Sequence, residues 1–260
     1  MAVRSLSTLS IVINGSKLTY VWGKFLRKCL EECNSLQKLC LTKNNYKEEH
    51  ENNPYNVTCD PFLSYINSTR PVTWVQGLSF GLASTTSLKE LNMTINNVTC
   101  IDFAWRNVFL MGLSLNESIT SLTVTVSDYE YLGRELWVLS LKSCLVQNKQ
   151  LTTLTLTVND YSEAEGHDDW SHLLGRDNFP ENSSLTELNL TVNIRSEVSE
   201  DWLPAFCDFL MRDCSSLRTV RLHVNNRCST GKSRICDLSK LRLKYRSLST
   251  FELSVTFCGE

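Results

Sequence analysis

The stretch that decides the fold runs from Leu185 to Asn193 and reads Leu-Thr-Glu-Leu-Asn-Leu-Thr-Val-Asn. Its pattern is L-x-x-L-x-L-x-V-N, and closely similar phrases begin at Leu88, Leu151 and Leu217. Equivalents of the first leucine define eight units, which begin near residues 6, 36, 88, 119, 151, 185, 217 and 248. Six of the seven spacings lie between 30 and 34 residues, and the second is 52 because it holds an insertion. A period of this size predicts a repeat architecture.

Within each phrase apolar and polar residues alternate, which predicts a short strand with one buried face. No unit can bury that face alone, so neighbouring units must stack. The ninth position is Ser or Thr in two units and Asn in six: Asn14, Asn44, Asn96, Asn159, Asn193 and Asn225. An amide both donates and accepts hydrogen bonds, so we expect these residues to form a buried structural ladder where each strand turns.

The second half of each unit predicts a helix. All six Trp residues lie 14 or 15 residues before the next first leucine, and apolar residues follow at helical spacing, as in Trp22, Phe25, Leu26, Cys29 and Leu30. Because its phase in the repeat is fixed, we interpret this stripe as core that packs against the sheet. An aromatic binding surface is the alternative.

Taken with the helix that follows, the motif L-x-x-L-x-L-x-x-N resembles the leucine-rich-repeat family. It is closest to the subtype found in ribonuclease inhibitor and in the C-terminal region of NACHT-domain (NOD-like) receptors. The resemblance covers residues 5–258. It implies one domain over residues 1–260: an α/β solenoid, coiled as a right-handed horseshoe, with about eight parallel strands on the concave face and helices on the convex face.

For function, the resemblance implies a non-enzymatic protein-binding or ligand-sensing domain, such as the sensor region of an innate-immune NOD-like receptor. A free-standing inhibitor or scaffold similar to ribonuclease inhibitor is the alternative. Neither terminal unit reads as the polar cap that a solenoid needs to stay soluble. We therefore expect a segment of a longer protein, with effector domains outside this chain.

The candidate binding residues lie on outward strand positions and on the loops where strands end. Most outward positions carry Thr or Ser, which is typical of a generic solvated strand face. The seventh unit differs, because basic residues project there between acidic neighbours: Arg218, Arg221 and His223, flanked by Glu187 and Glu252. Tyr129 and Tyr161 on strand-exit loops form a second candidate. The polar insertion at residues 45–66 is either a tolerated surface loop or a partner contact.

Charge argues against some classes of partner. The net charge of −2 gives no general case for nucleic acid or membrane. Residues 218–246 are basic, yet Tyr245 is the one aromatic residue among them, too few to stack on successive bases, which disfavours nucleic acid. No apolar run reaches the length of a membrane-spanning helix.

The sequence predicts no catalytic, metal or cofactor site. His167 and His172 are five residues apart, whereas two ligands on one helix face need a spacing of three or four. Gly231-Lys232-Ser233 lacks the preceding glycine of a phosphate-binding loop.

Cysteine usage favours a cytoplasmic protein, because the 11 cysteines are odd in number and irregularly spaced. An extracellular glycoprotein is the alternative, since eight N-x-S/T sequons occur, at Asn14, Asn56, Asn67, Asn92, Asn97, Asn116, Asn182 and Asn189.

Overall fold

The computed structural model describes residues 6–14, 20–44, 74–98, 108–128, 144–160, 184–194, 216–226 and 249–257. Each unit contributes one strand: β1 (Thr8–Asn14), β2 (Lys38–Asn44), β3 (Glu90–Val98), β4 (Ser121–Asp128), β5 (Thr153–Asp160), β6 (Glu187–Ile194), β7 (Thr219–Asn226) and β8 (Thr250–Phe257). The helical segments among the described residues include α1 (Tyr20–Glu32), α2 (Trp74–Ser84) and a π-helical α3 (Val108–Leu113), and residues 144–147 add one further turn. The insertion at residues 45–66 and the strand-exit residues Tyr129 and Tyr161 lie outside the described ranges.

The eight strands form a single open parallel sheet in the order of the sequence, from β1 to β8. Equivalent positions of the phrase pair across every strand boundary, so that Leu188 of β6 faces Leu154 of β5 and Val220 of β7. The repeat therefore predicts both the number of strands and their register. This arrangement is compatible with an α/β solenoid.

One side of the sheet is apolar and carries the helices. The leucines of the phrases pack in one continuous core with buried helix residues such as Leu26, Leu30, Leu78 and Leu82. Apolar residues directly before the ninth position, such as Val192, join the same core. Burial of each such leucine contributes on the order of 2 kcal/mol. The opposite side, which we call the polar face, consists of the strand residues that alternate with the buried ones.

Glycines allow the helices to approach one another closely. A Cβ atom on Gly77 of α2 would collide with the backbone carbonyl of Gly23 in α1. A Cβ on Gly81 would lie 2.8 Å from Leu30 Cδ1, and one on Gly112 of α3 would lie 3.1 Å from Ser79 O. Small residues at these positions thus set the spacing of the helix row.

The interpretation of the helix stripe as core is wrong for two aromatic residues of α1. Leu26 and Leu30 are buried, but Trp22 is 45% exposed and Phe25 is 55% exposed. The reason is position in the row: α2 packs against the opposite side of α1, and no described helix covers the aromatic side. The side chain of Trp74 and the other four Trp residues lie outside what the structure describes.

Side-chain hydrogen bonds join each unit to the one before it. A serine directly before the first leucine donates its hydroxyl to a backbone carbonyl of the preceding unit in five cases: Ser35 to Leu6, Ser87 to Cys33, Ser118 to Thr85, Ser184 to Leu151 and Ser216 to Leu185. The buried amide of Asn116 donates to Leu82 O at 2.6 Å and Thr85 O at 3.1 Å. Its Oδ1 accepts from the backbone N–H groups of Ser118 and Ile119.

Asn148 repeats the same set of contacts one unit later. It donates to Leu113 O and Asn116 O, and it accepts from the N–H groups of Gln150 and Leu151. The structural role of Asn116 and Asn148 was not predicted from the sequence. Each lies three residues before the first apolar residue of its phrase, and this fixed spacing could have indicated the role.

The Asn residues at the ninth position lie on the polar face, where their side chains hydrogen-bond to one another. Each Nδ2 donates to the preceding unit: Asn44 to Asn14 at 2.8 Å, Asn96 to Asn44 at 2.8 Å, Asn159 to Ser127 at 3.1 Å, Asn193 to Asn159 at 2.6 Å and Asn225 to Asn193 at 2.6 Å. The expectation of burial at a turn is wrong, since Asn14 is exposed and the others are half-buried within or at the end of their strands. The residue before each Asn is apolar in five units and Lys43 in the second, and it continues the strand alternation as a buried position, which places the amide on the polar face.

Candidate functional site

The polar face presents four rows of side chains that cross all eight strands. One is the row of ninth positions. Another holds five consecutive threonines flanked by different residues: Val12, Thr42, Thr94, Thr125, Thr157, Thr191, His223 and Ser254. Adjacent members are about 4.8 Å apart in the hydrogen-bonding direction, as in any sheet. The face is therefore broad, regular and largely uncharged.

Charged residues interrupt this face near its C-terminal end. Arg221 of β7 lies between a carboxylate on each neighbouring strand: its Nη1 is 2.7 Å from Glu187 Oε1 and its Nε is 3.2 Å from Glu252 Oε2. The same Nη1 donates to Asn189 Oδ1 at 3.1 Å. We call these four residues the Arg221 cluster. One guanidinium between two carboxylates leaves the cluster with a charge of −1.

The cluster is tied to the strands beneath it. Asn189 also donates its Nδ2 to Glu187 Oε1 and to Thr155 Oγ1, each at 3.2 Å, so the network reaches from β5 to β8. The Arg221 side chain retains 36% exposure and that of Glu252 retains 53%. The cluster is thus held in place by its neighbours while its charged groups remain open to solvent.

The other predicted basic residues have different surroundings. Arg218 lies just before β7, is exposed, and donates its Nη1 to Leu217 O at 3.3 Å. His223 is half-buried in the threonine row, between Thr191 and Ser254. Within the described contacts, Arg221 is joined to both acidic residues, whereas Arg218 and His223 occupy the adjoining surface.

A second charged pair lies on strands β2 and β3. Lys38 Nζ is 2.8 Å from Glu90 Oε2, and the two residues face each other in the strand register. The hydrogen bond and charge of Glu90 raise the pKa of Lys38. Sequence reasoning overlooked this pair, which alignment of the second and third units places side by side.

Between the two charged regions the face is lined by hydroxyl groups. The side chains of Thr123, Thr125 and Thr157 are half-buried, and their hydroxyls have no hydrogen-bond partner among the described residues. Such groups remain available to solvent or to a bound molecule.

The described residues offer little catalytic chemistry. Across those ranges, no three His, Cys, Asp or Glu side chains gather as a metal ion would require. Burial raises the pKa of the Cys144 thiol to about 12, so it is not a thiolate nucleophile at neutral pH. As far as the helices are described, none has the length and apolar content needed to cross a membrane.

No protein-family model matches this chain, and no curated protein matches it significantly. The resemblance to leucine-rich repeats accordingly depends on the repeated phrase and on the sheet that the phrase forms.

Proposed function

We propose that this chain is a non-enzymatic protein-binding domain, built as a leucine-rich-repeat solenoid of the ribonuclease-inhibitor-like subtype. In this proposal the sheet curves into a right-handed horseshoe with the polar face on its concave side. The repeated phrase and the sequential parallel sheet, with one strand per unit, support this choice. The domain recognises its ligand in the manner of the sensor region of an innate-immune NOD-like receptor and transmits binding to effector domains outside this chain.

The observation that carries the proposal is the Arg221 cluster. Charged side chains on an otherwise neutral face make binding specific, because they favour partners with complementary charge and disfavour others. The Arg221–Glu252 contact is the longer of the two ion pairs, at 3.2 Å, and includes the most exposed carboxylate of the cluster. A partner side chain can replace it at low cost, since exposed ion pairs contribute at most about 1 kcal/mol.

A cytoplasmic location fits two features of the described residues. Cys29, Cys33, Cys40 and Cys144 form no disulfide bond in the described structure, as expected in a reducing compartment. The sequon asparagine Asn116 is 2% exposed and uses its amide in backbone hydrogen bonds, so it cannot carry a glycan in the folded protein. One of the eight sequons is thereby removed from the case for an extracellular glycoprotein.

The proposal is tested by charge reversal in a pull-down from cells that express the protein. The variant Arg218→Glu, Arg221→Glu, His223→Glu is expected to lose partners that the wild type retains. Lys89→Glu is the matched control, because Lys89 occupies the position of Arg218 in the third unit and is also exposed. Identical recovery of all partners by the wild type and the triple variant would refute the role of the cluster.

A further inference from the structure

The guanidinium of Arg221 uses only one of its nitrogen atoms for hydrogen bonds to the described residues. Its Nη1 donates to Glu187 Oε1 at 2.7 Å and to Asn189 Oδ1 at 3.1 Å. Its Nε lies 3.2 Å from Glu252 Oε2 in an ion pair, but neither Nε nor Nη2 donates a hydrogen bond to any described residue. We call the side of the guanidinium that carries Nε and Nη2 the open edge of Arg221. Its parallel N–H groups have the geometry that holds both oxygens of one carboxylate.

Neighbouring side chains fix the orientation of this open edge. Asn189, which accepts from Arg221, donates its own Nδ2 to Glu187 Oε1. The same Nδ2 is 3.2 Å from Thr155 Oγ1, which links the cluster to β5. Arg221 lies on β7 between β6 and β8, so a described strand flanks it on each side. Because the guanidinium is already held in place, less side-chain entropy is lost when a ligand fills the open edge.

Glu252 occupies the open edge without filling it. Its distance of 3.2 Å from Nε is longer than the 2.7 Å between Nη1 and Glu187, and longer than the roughly 2.7–2.9 Å of a charge-assisted hydrogen bond. The side chains of Arg221 and Glu252 retain 36% and 53% exposure, and ion pairs exposed to this degree contribute little to stability. A carboxylate that binds both N–H groups of the open edge can therefore displace Glu252 into solvent.

The other polar and charged residues of the same unit favour an anion beside Arg221. His223 follows Arg221 by two residues on β7, so the two side chains share the polar face and their Cα atoms are about 7 Å apart. Within the described contacts, the imidazole of His223 makes no hydrogen bond. Arg218 adds a positive charge just before the strand, and residues 216–226 include no Asp or Glu. The acidic partners of Arg221 therefore come from the neighbouring units, β6 and β8.

We propose that the open edge of Arg221 binds the carboxylate of an Asp or Glu side chain of the partner protein, an inference that rests on the protein-binding function proposed above. Glu252 is an internal competitor, which occupies the place of that carboxylate until the partner displaces it. The exchange of one carboxylate for another adds no negative charge next to the guanidinium. A phosphate group would bring a charge closer to −2 beside Glu187, which opposes its binding.

A cationic partner is the alternative, because the Arg221 cluster has a charge of −1. Such a partner would bind the carboxylate of Glu252, whereas an acidic partner must displace that carboxylate. Glu252→Gln removes the charge of the internal competitor and keeps the size of the side chain. The substitution should therefore tighten the binding of an acidic partner and weaken the binding of a basic one, so that the direction of the change separates the two.

The test is a selection from a random peptide display library on the immobilised 260-residue chain, with removal of peptides that also bind the variant Arg218→Glu, Arg221→Glu, His223→Glu. The retained peptides are expected to be enriched in Asp and Glu. Their dissociation constants should fall about threefold in Glu252→Gln, as loss of an exposed ion pair allows. They should rise at least about tenfold in Arg221→Lys, which keeps the charge but lacks the paired N–H groups. Glu90→Gln is the matched control and should leave them unchanged, since Glu90 is an exposed carboxylate paired with Lys38 elsewhere on the polar face.

The possible failures are distinguishable. Enrichment of Lys and Arg in the retained peptides, or weaker binding to Glu252→Gln, would overturn the acidic-ligand proposal and leave the protein-binding function standing. Equal binding by Arg221→Lys and the wild type would overturn the role of the open edge. If no peptide distinguishes the wild type from the triple variant, the proposed function fails together with this inference. Circular dichroism checks that each variant is folded.

Discussion

Substitution of Asn116 by alanine should strongly destabilise the fold, because one buried amide completes the turn between helix and strand. The change removes the donors to Leu82 O and Thr85 O and the acceptor for the N–H groups of Ser118 and Ile119. Thr85 O retains the hydroxyl of Ser118, so three backbone groups lose this partner with no other described. Each buried group left unsatisfied costs about 1–3 kcal/mol.

With partial relaxation of the turn, we expect Asn116→Ala to lower the free energy of unfolding by about 3–5 kcal/mol. This is a large share of the 5–15 kcal/mol or so that is typical of a folded domain. Urea unfolding followed by circular dichroism measures the loss as a lower transition midpoint at an unchanged slope. Asn148→Ala should behave alike, because Asn148 makes the same contacts one unit later.

The neighbouring Glu117→Ala is the control for a substitution in the same turn, since Glu117 is exposed and should change stability by less than about 0.5 kcal/mol. If Asn116→Ala and Glu117→Ala unfold at the same urea concentration, the amide does not hold the turn as described.

Three other predictions concern buried groups. Thr85 Oγ1 is buried without a hydrogen-bond partner in the described structure, so Thr85→Val should leave the thermal midpoint unchanged or raise it, and a clear fall would contradict this. The pKa of Cys144 is raised from 9.0 to about 12, so the unfolded chain loses this proton first and the free energy of unfolding should fall as the pH rises from 9 towards 12. In Cys144→Ala the urea midpoint should decline less steeply over that range than in the wild type. Parallel pH profiles of the two proteins would exclude the effect. Gly77→Ala should cost more stability than Gly112→Ala in the same urea assay, at least about 1–3 kcal/mol. A Cβ on Gly77 collides with the Gly23 backbone, whereas one on Gly112 lies 3.1 Å or more from its neighbours. Equal costs would show that the helix spacing adapts.

The strands could be predicted because the alternation of one phrase fixes both face and register. Leu188 is buried and Asn189 is on the polar face for the same reason that Leu154 and Thr155 are. The position of Asn193 was misjudged because the sequence was interpreted as turning there, whereas Val192 continues the strand and sends the amide to the polar face. The alternation of apolar and polar residues tells which face of the sheet a side chain occupies only if the end of the strand is placed correctly.

The candidate site was predictable only in its members. Glu187, Arg221 and Glu252 were singled out by charge, but the clamping of the guanidinium between two carboxylates requires the pairing of three strands. The exposure of Trp22 and Phe25 was equally beyond local pattern, since their spacing in α1 is that of a core stripe. These two side chains are exposed because no described helix packs on that side of α1. Their exposure follows from the position of α1 in the row of helices and not from the local sequence.

The hydrogen bonds of the serines and of Asn116 share a direction that has a consequence for synthesis. In each case the later unit donates to a carbonyl of the earlier one, as Ser35 does to Leu6 and Ser216 does to Leu185. A ribosome produces the earlier unit first, so the acceptors for each new turn are already in place when its donors emerge. We therefore expect the chain to fold progressively during translation, each completed turn serving as the template for the next.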